Sequence, residues 1–147
     1  MLSTRTHPER ILRFALLADA AASGLVGLVL AAAAGPLSAP LGLPEPLLRG
    51  AGLVLLPYAA LVAWAGTRLS PPPGLVRAIV ALNLLWAADS VLLLALGPWL
   101  GLPRPGALGV ALVLAQALAV AGFAAVQGAA LRRLGGPKLN GPKPALA

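Results

Sequence analysis

The chain has no cysteine, one histidine and only four acidic residues in 147 positions. Without cysteine there are no disulfides, no thiolate nucleophile and no thiolate metal site, and the redox compartment leaves no trace. The single histidine, His7, falls in a short polar head, so buried imidazole ligation of haem, zinc or copper has no residue to use. Glu9 and Glu45 fall in the head and a connector, which leaves Asp19 and Asp89 as the only carboxyls inside apolar runs. There is no phosphate-binding glycine loop, dinucleotide fingerprint or HExxH, and no serine in an apolar run has a histidine near it for nucleophilic catalysis. These absences lean against an enzyme and give no reason to expect a metal or cofactor.

What is abundant is apolar. Hydrophobic residues make up 59% of the chain and charged ones 10%, and the mean hydropathy is +0.90. A soluble domain carries about 25% charged residues, so this composition predicts an integral membrane protein. A net charge of +7 would suit a nucleic-acid binder if it formed one folded patch, but the Lys and Arg residues flank the apolar runs instead. No nucleic-acid partner is expected; the bilayer is. Heavy use of Ala, Leu, Gly, Pro and Arg suggests a bacterial source.

Four runs are long enough to span, since a bilayer core needs about 20 apolar residues. Residues 1–10 read as a cytoplasmic head, and spans are expected over about 11–34, 47–67, 75–97 and 106–131 within a transmembrane unit 11–133. Residues 134–147 read as a disordered cytoplasmic tail. The first run could imitate a secretory signal, but it is longer than an h-region and contains Asp19, so a retained helix is expected. Pro36, Pro40, Pro44 and Pro46 predict an extended connector over 35–46, and Pro57 predicts a kink in the second helix near Leu53. Trp64 and Trp99 sit where interfacial aromatics belong.

Basic residues set the orientation. Arg5, Arg10, Arg13, Arg68, Arg77, Arg132, Arg133, Lys138 and Lys143 fall on one side, and only Arg49 and Arg104 on the other. Nine against two predicts both termini in the cytoplasm of a bacterial inner membrane. A shift of 64 positions lays Arg13 on Arg77, Asp19 on Asn83 and Arg68 on Arg132, which suggests a tandem repeat of two helical hairpins. Basic helix ends would align the arginines in any such protein, so only the match of Asp19 with Asn83 adds weight.

Polar residues inside the runs are the candidate sites, because such groups are costly in hydrocarbon and turn toward protein or water. At about 1.5 Å per residue, Asp19 and Asn83 lie roughly 12 Å from the cytoplasmic boundary and should share a layer. Tyr58, Asp89 and Gln116 count to roughly 12 to 17 Å from the outer boundary, a second layer. Asn83, Trp86 and Asp89 fall on one stripe of the third helix, expected to face inward. Asp19 reads first as a structural clamp that donates to Asn83 or a carbonyl, and second as a proton or ligand site. Asp89 divides evenly between structure and function. Asn83 and Gln116 read as interhelical hydrogen-bonding groups, and Tyr58 and Trp86 as core or cavity rings. Small residues recur every four positions at Ala15, Asp19, Ser23, Gly27 and Ala31, and again at Ala117, Ala121, Ala125 and Ala129, which predicts close packing of helices one and four.

The segment ALNLLWAADSVLLL, with Asn83 and Trp86, and the helix GALGVALVLAQALAVAGFAAVQGAALRR, with Gln116, resemble small four-span bacterial membrane proteins. In layout the chain is similar to the DoxX-like group. That resemblance implies a four-helix membrane bundle and no particular activity. The expected function is non-enzymatic: the bundle holds a small apolar or amphipathic ligand, or a partner's transmembrane helix, against Asn83, Trp86 and Asp89. A small proton-coupled transporter using Asp19 and Asp89 is the alternative, and a membrane enzyme acting on lipid or quinone the third reading. A homo-oligomer is compatible with each.

Overall fold

The computed structural model describes residues 7–102 and 104–135. These form four α-helices, α1 (His7–Leu41), α2 (Glu45–Thr67), α3 (Pro73–Leu96) and α4 (Ala107–Leu134), with a short 3-10 turn at Gly97–Leu100. All four are long and apolar enough to cross a membrane, and there is no strand among the described residues. The all-α, four-span expectation holds. The expected tail, apart from Leu134 and Gly135, lies outside the described residues, and His7–Arg10 belongs to α1 rather than to a separate head.

The first connector is the main correction. Instead of stopping at residue 34, α1 continues through Pro36 and Pro40 to Leu41, with one break at Ala33 (φ −113, ψ 20). Pro36 lacks the N–H that would reach the carbonyl of residue 32 and its ring crowds that carbonyl, so the backbone turns just before it. Arg49 answers this disturbance from α2, donating from Nη1 to the Ala31 carbonyl at 3.1 Å while Nη2 pairs with Glu45 at 2.6 Å. The helix then ends in a Schellman cap: Leu43 N–H donates to Ser38 O and Gly42 N–H to Ala39 O. That cap needs the left-handed backbone of Gly42 (φ +64). Pro44 and Pro46 flank the first residue of α2, where a missing N–H costs nothing. By contrast α2 runs through Pro57 as one helix, and the kink expected near Leu53 is not where the bundle bends.

Around the bundle the order is α2, α1, α4, α3. The longest interface joins α1 to α2, α4 packs on both α1 and α3, and α2 and α3 barely touch. A twofold relation between the two hairpins would make the α1–α4 and α2–α3 contacts equivalent, and they are far from equal. The α1–α2 crossing is close because Gly27 faces Gly52: a Cβ on Gly52 would lie 2.7 Å from the Gly27 carbonyl. Lipid offers as apolar a surrounding as leucine does, so such contacts stabilise through dispersion and small-residue approach rather than water exclusion.

On α1 the expected ladder is the buried face, with Ala15, Asp19, Ser23 and Gly27 all covered. On α4 the face is different. Gly109, Ala117, Val120, Ala124, Gln127 and Ala130 are buried, whereas Ala125 is exposed, because spacings of three and four follow the helical repeat and a strict four drifts off it. Two apolar cores result. Leu12, Leu16, Val62, Val76, Ile79 and Ala130 fill the end nearer the chain termini, and Leu30, Ala34, Leu41, Leu43 and Leu48 fill the other.

Candidate functional site

Four helices each send polar atoms to one point between these cores. Asp19 of α1, fully buried, accepts at Oδ2 from Asn83 Nδ2 of α3 and from Gln127 Nε2 of α4, both at 2.8 Å. Its Oδ1 accepts from Ser23 Oγ, one turn along α1, at 3.1 Å. The Tyr58 hydroxyl of α2 lies 2.8 Å from Asn83 Oδ1 and 3.3 Å from Asp19 Oδ2. A hydroxyl has one proton, and the shorter contact makes Asn83 its main acceptor. Asn83 is thereby used at both ends of its amide.

The expected clamp therefore exists with its polarity reversed. Asp19 accepts in every one of these bonds rather than donating to Asn83 or a carbonyl. Of the donors it collects, two come from amides on α3 and α4, which ties both helices to α1. One polar atom in the junction is left over: Gln127 Oε1 is buried without a partner.

Placing Asp19 and Asn83 in one layer holds. Tyr58 does not belong to the outer layer, and the reason is the end from which α2 is counted. Nine residues separate Tyr58 from Thr67, about 14 Å, and ten separate Asn83 from Pro73, about 15 Å, so the two meet at the same height. Gln127 was missed altogether. Its signal is its place on the small-residue face of α4, seven residues after Val120 and three after Ala124, where it is the one long polar side chain.

The stripe Asn83, Trp86, Asp89 does not face inward throughout. Asn83 is buried, Trp86 is half-buried and Asp89 is exposed. The buried residues of α3 are Val76, Ile79 and Asn83, all in its first half, and beyond them the helix leaves α2. Two cavities open along this gap. One, of about 520 Å³, is bounded by Tyr58, Asn83 and Ser23 at the junction and by Leu82, Trp86 and Asp89 further along. The other, of about 290 Å³, continues toward the far end and is lined by Trp86, Asp89 and Gln116 with apolar residues such as Leu30, Leu48 and Leu93. Trp86 and Asp89 border both. Asp89 and Gln116 thus share one wall space, as their depths suggested, though no hydrogen bond joins them.

The two carboxyls differ in what they can do. Asp19 is enclosed and saturated with donors, and Ser23 beside it has no imidazole to activate it, so the junction has the chemistry of a fastener rather than a base. Asp89 has no hydrogen bond or ion pair among the described residues, and its oxygens are open to whatever enters the groove. No group of three or more metal-ligating side chains occurs among the described residues. Comparison with protein-family models, curated proteins and solved structures returns no match to this chain.

Proposed function

We propose that the chain is a non-enzymatic, multi-pass protein of a bacterial plasma membrane, with both termini cytoplasmic, that holds a small amphipathic molecule in the groove between α2 and α3. The observation that carries this reading is the shared border of the two cavities. An apolar trough leads from the far end of the bundle to Asp89 and Trp86 and on to the Tyr58 and Asn83 edge of the junction. Unpartnered carboxyl oxygens beside an indole ring favour a head group that donates hydrogen bonds or carries positive charge, and the aliphatic walls favour a hydrocarbon tail. The nine-to-two asymmetry of basic residues supports the orientation.

Trp86 makes the reading testable. In a Trp64→Phe, Trp99→Phe background its emission should be quenched by an amine-headed amphiphile with a brominated tail. Asp89→Asn should weaken that binding about tenfold, the usual scale for one hydrogen bond to a charged group. Quenching that is absent, or unchanged by Asp89→Asn, would remove the proposal. A small proton-coupled carrier is a second reading, favoured by the route that the larger cavity makes between Asp89 and the ligands of Asp19. It requires flux in proteoliposomes that is lost in Asp19→Asn and Asp89→Asn variants.

A further inference from the structure

A basic feature lies at the neighbouring seam of the bundle, where α3 packs on α4 at the end nearer the chain termini. Arg77, in the second turn of α3, and Arg132, in the last turn of α4, stand at the mouth of a cavity of about 520 Å³. Below them the walls are Val80, Ala81 and Leu84 from α3 and Gly128 and Leu131 from α4. Gly128 shapes the space. The Arg132 guanidinium lies over it, with Nη1 3.8 Å and Val80 Cγ1 of α3 4.0 Å from where a Cβ would stand, so a longer side chain at this position would enter the space between them.

Among the described residues no acidic side chain lines this cavity, and neither arginine is held in an ion pair. This contrasts with the other buried or bridging arginines: Arg13 donates to the Gly66 carbonyl, Arg49 serves Ala31 and Glu45, and Arg68 lies 4.2 Å over the Trp64 ring. Two arginines without an ion pair among the described residues therefore line one cavity with apolar walls between two helices long and apolar enough to cross a membrane. Guanidinium forks match phosphate oxygens, and the trough below runs in the direction an acyl chain would take.

We infer that this α3–α4 cavity is a binding site for one anionic phospholipid, its phosphate held between Arg77 and Arg132 and one acyl chain laid along Val80, Ala81 and Leu84. The site is separate from the α2–α3 groove and does not depend on the function proposed for it. A free phosphate would be served by the arginines alone, whereas the apolar walls have a use only for a lipid.

The test is retention of lipid by the purified full chain, read by native mass spectrometry after mixing with equal amounts of phosphatidylglycerol and phosphatidylcholine. The chain should keep phosphatidylglycerol in preference, and millimolar inorganic phosphate should not displace it. Arg77→Gln and Arg132→Gln should each lower that preference about fivefold, the factor expected for one basic residue at an anionic surface. Arg133→Gln removes the same charge from a residue that does not line the cavity and should leave the preference unchanged. Gly128→Leu keeps every charge and fills the trough, and it should also release the lipid. Loss of preference in Arg133→Gln equal to that in Arg132→Gln, or full retention in Gly128→Leu, would mean diffuse surface attraction and would overturn the site. Displacement by inorganic phosphate would overturn it as well.

Discussion

Asp19 and Asp89 are the same side chain in two halves of one bundle, yet only Asp19 is surrounded. Around Asp19 the helices converge, and amides and hydroxyls from all four are bonded to it or to its neighbour Asn83. Around Asp89, α3 has left α2 and the carboxyl borders two cavities. A carboxyl in a membrane helix is thus not a site or a fastener by virtue of its type. Which it becomes depends on how many donors the packing delivers to it, and here packing delivers them at one height only.

The largest expected effect breaks this contrast directly. Asp19→Leu strands the donors of Asn83, Gln127 and Ser23 at about 1 kcal/mol or more each, so the unfolding free energy in micelles should fall by about 3 kcal/mol or more. Asp89→Leu strands nothing and should stay within about 0.5 kcal/mol of the parent chain. Equal losses from the two substitutions would erase the distinction between the halves.

A second pair of substitutions sharpens it at the backbone. Gly52→Ala pushes a methyl against the Gly27 carbonyl where α1 and α2 cross, and should cost about 1 to 3 kcal/mol. Gly122→Ala meets nothing within 4 Å and should instead gain up to about 1 kcal/mol from helix propensity. Thermal unfolding of the two variants side by side reads the difference.

The smallest effect probes the leftover acceptor in the junction. Asp19→Asn replaces one oxygen by an amide donor, and rotation of the Gln127 side chain would turn its unpartnered Oε1 to receive it. The expected cost is about 1 kcal/mol, well below that of Asp19→Leu. Adding Gln127→Leu removes the amide that does this, and the double variant should lose more than Asp19→Asn alone but less than Asp19→Leu, because one oxygen remains at position 19 to accept.

Much of this architecture was legible from residue order. Apolar length gave the four spans, and counting residues from the helix ends put Asp19 beside Asn83. Tyr58 was misplaced because its depth was counted from the wrong end of α2. Gln127 was overlooked because its partner, Asp19, is 108 positions away in sequence and nothing local marks it. Pro36 and Pro40 read as a stop because proline lacks a donor; α1 passes them with one break, at Ala33, and Arg49 of the next helix donates to the Ala31 carbonyl beside that break.

Hydrophobic run length, the basic helix ends and the scarcity of reactive side chains are properties of composition and order, so the sequence by itself settled that the chain is a bundle of four apolar helices with a thin chemical inventory. Which helices touch was decided only in three dimensions. Small residues let α1 approach α2 and α4 closely, whereas beyond Asn83 the side chains α3 presents at the gap toward α2 are Leu85, Trp86 and Asp89, none of them small. That difference in close approach is what buried one aspartate and left the other at the edge of a groove.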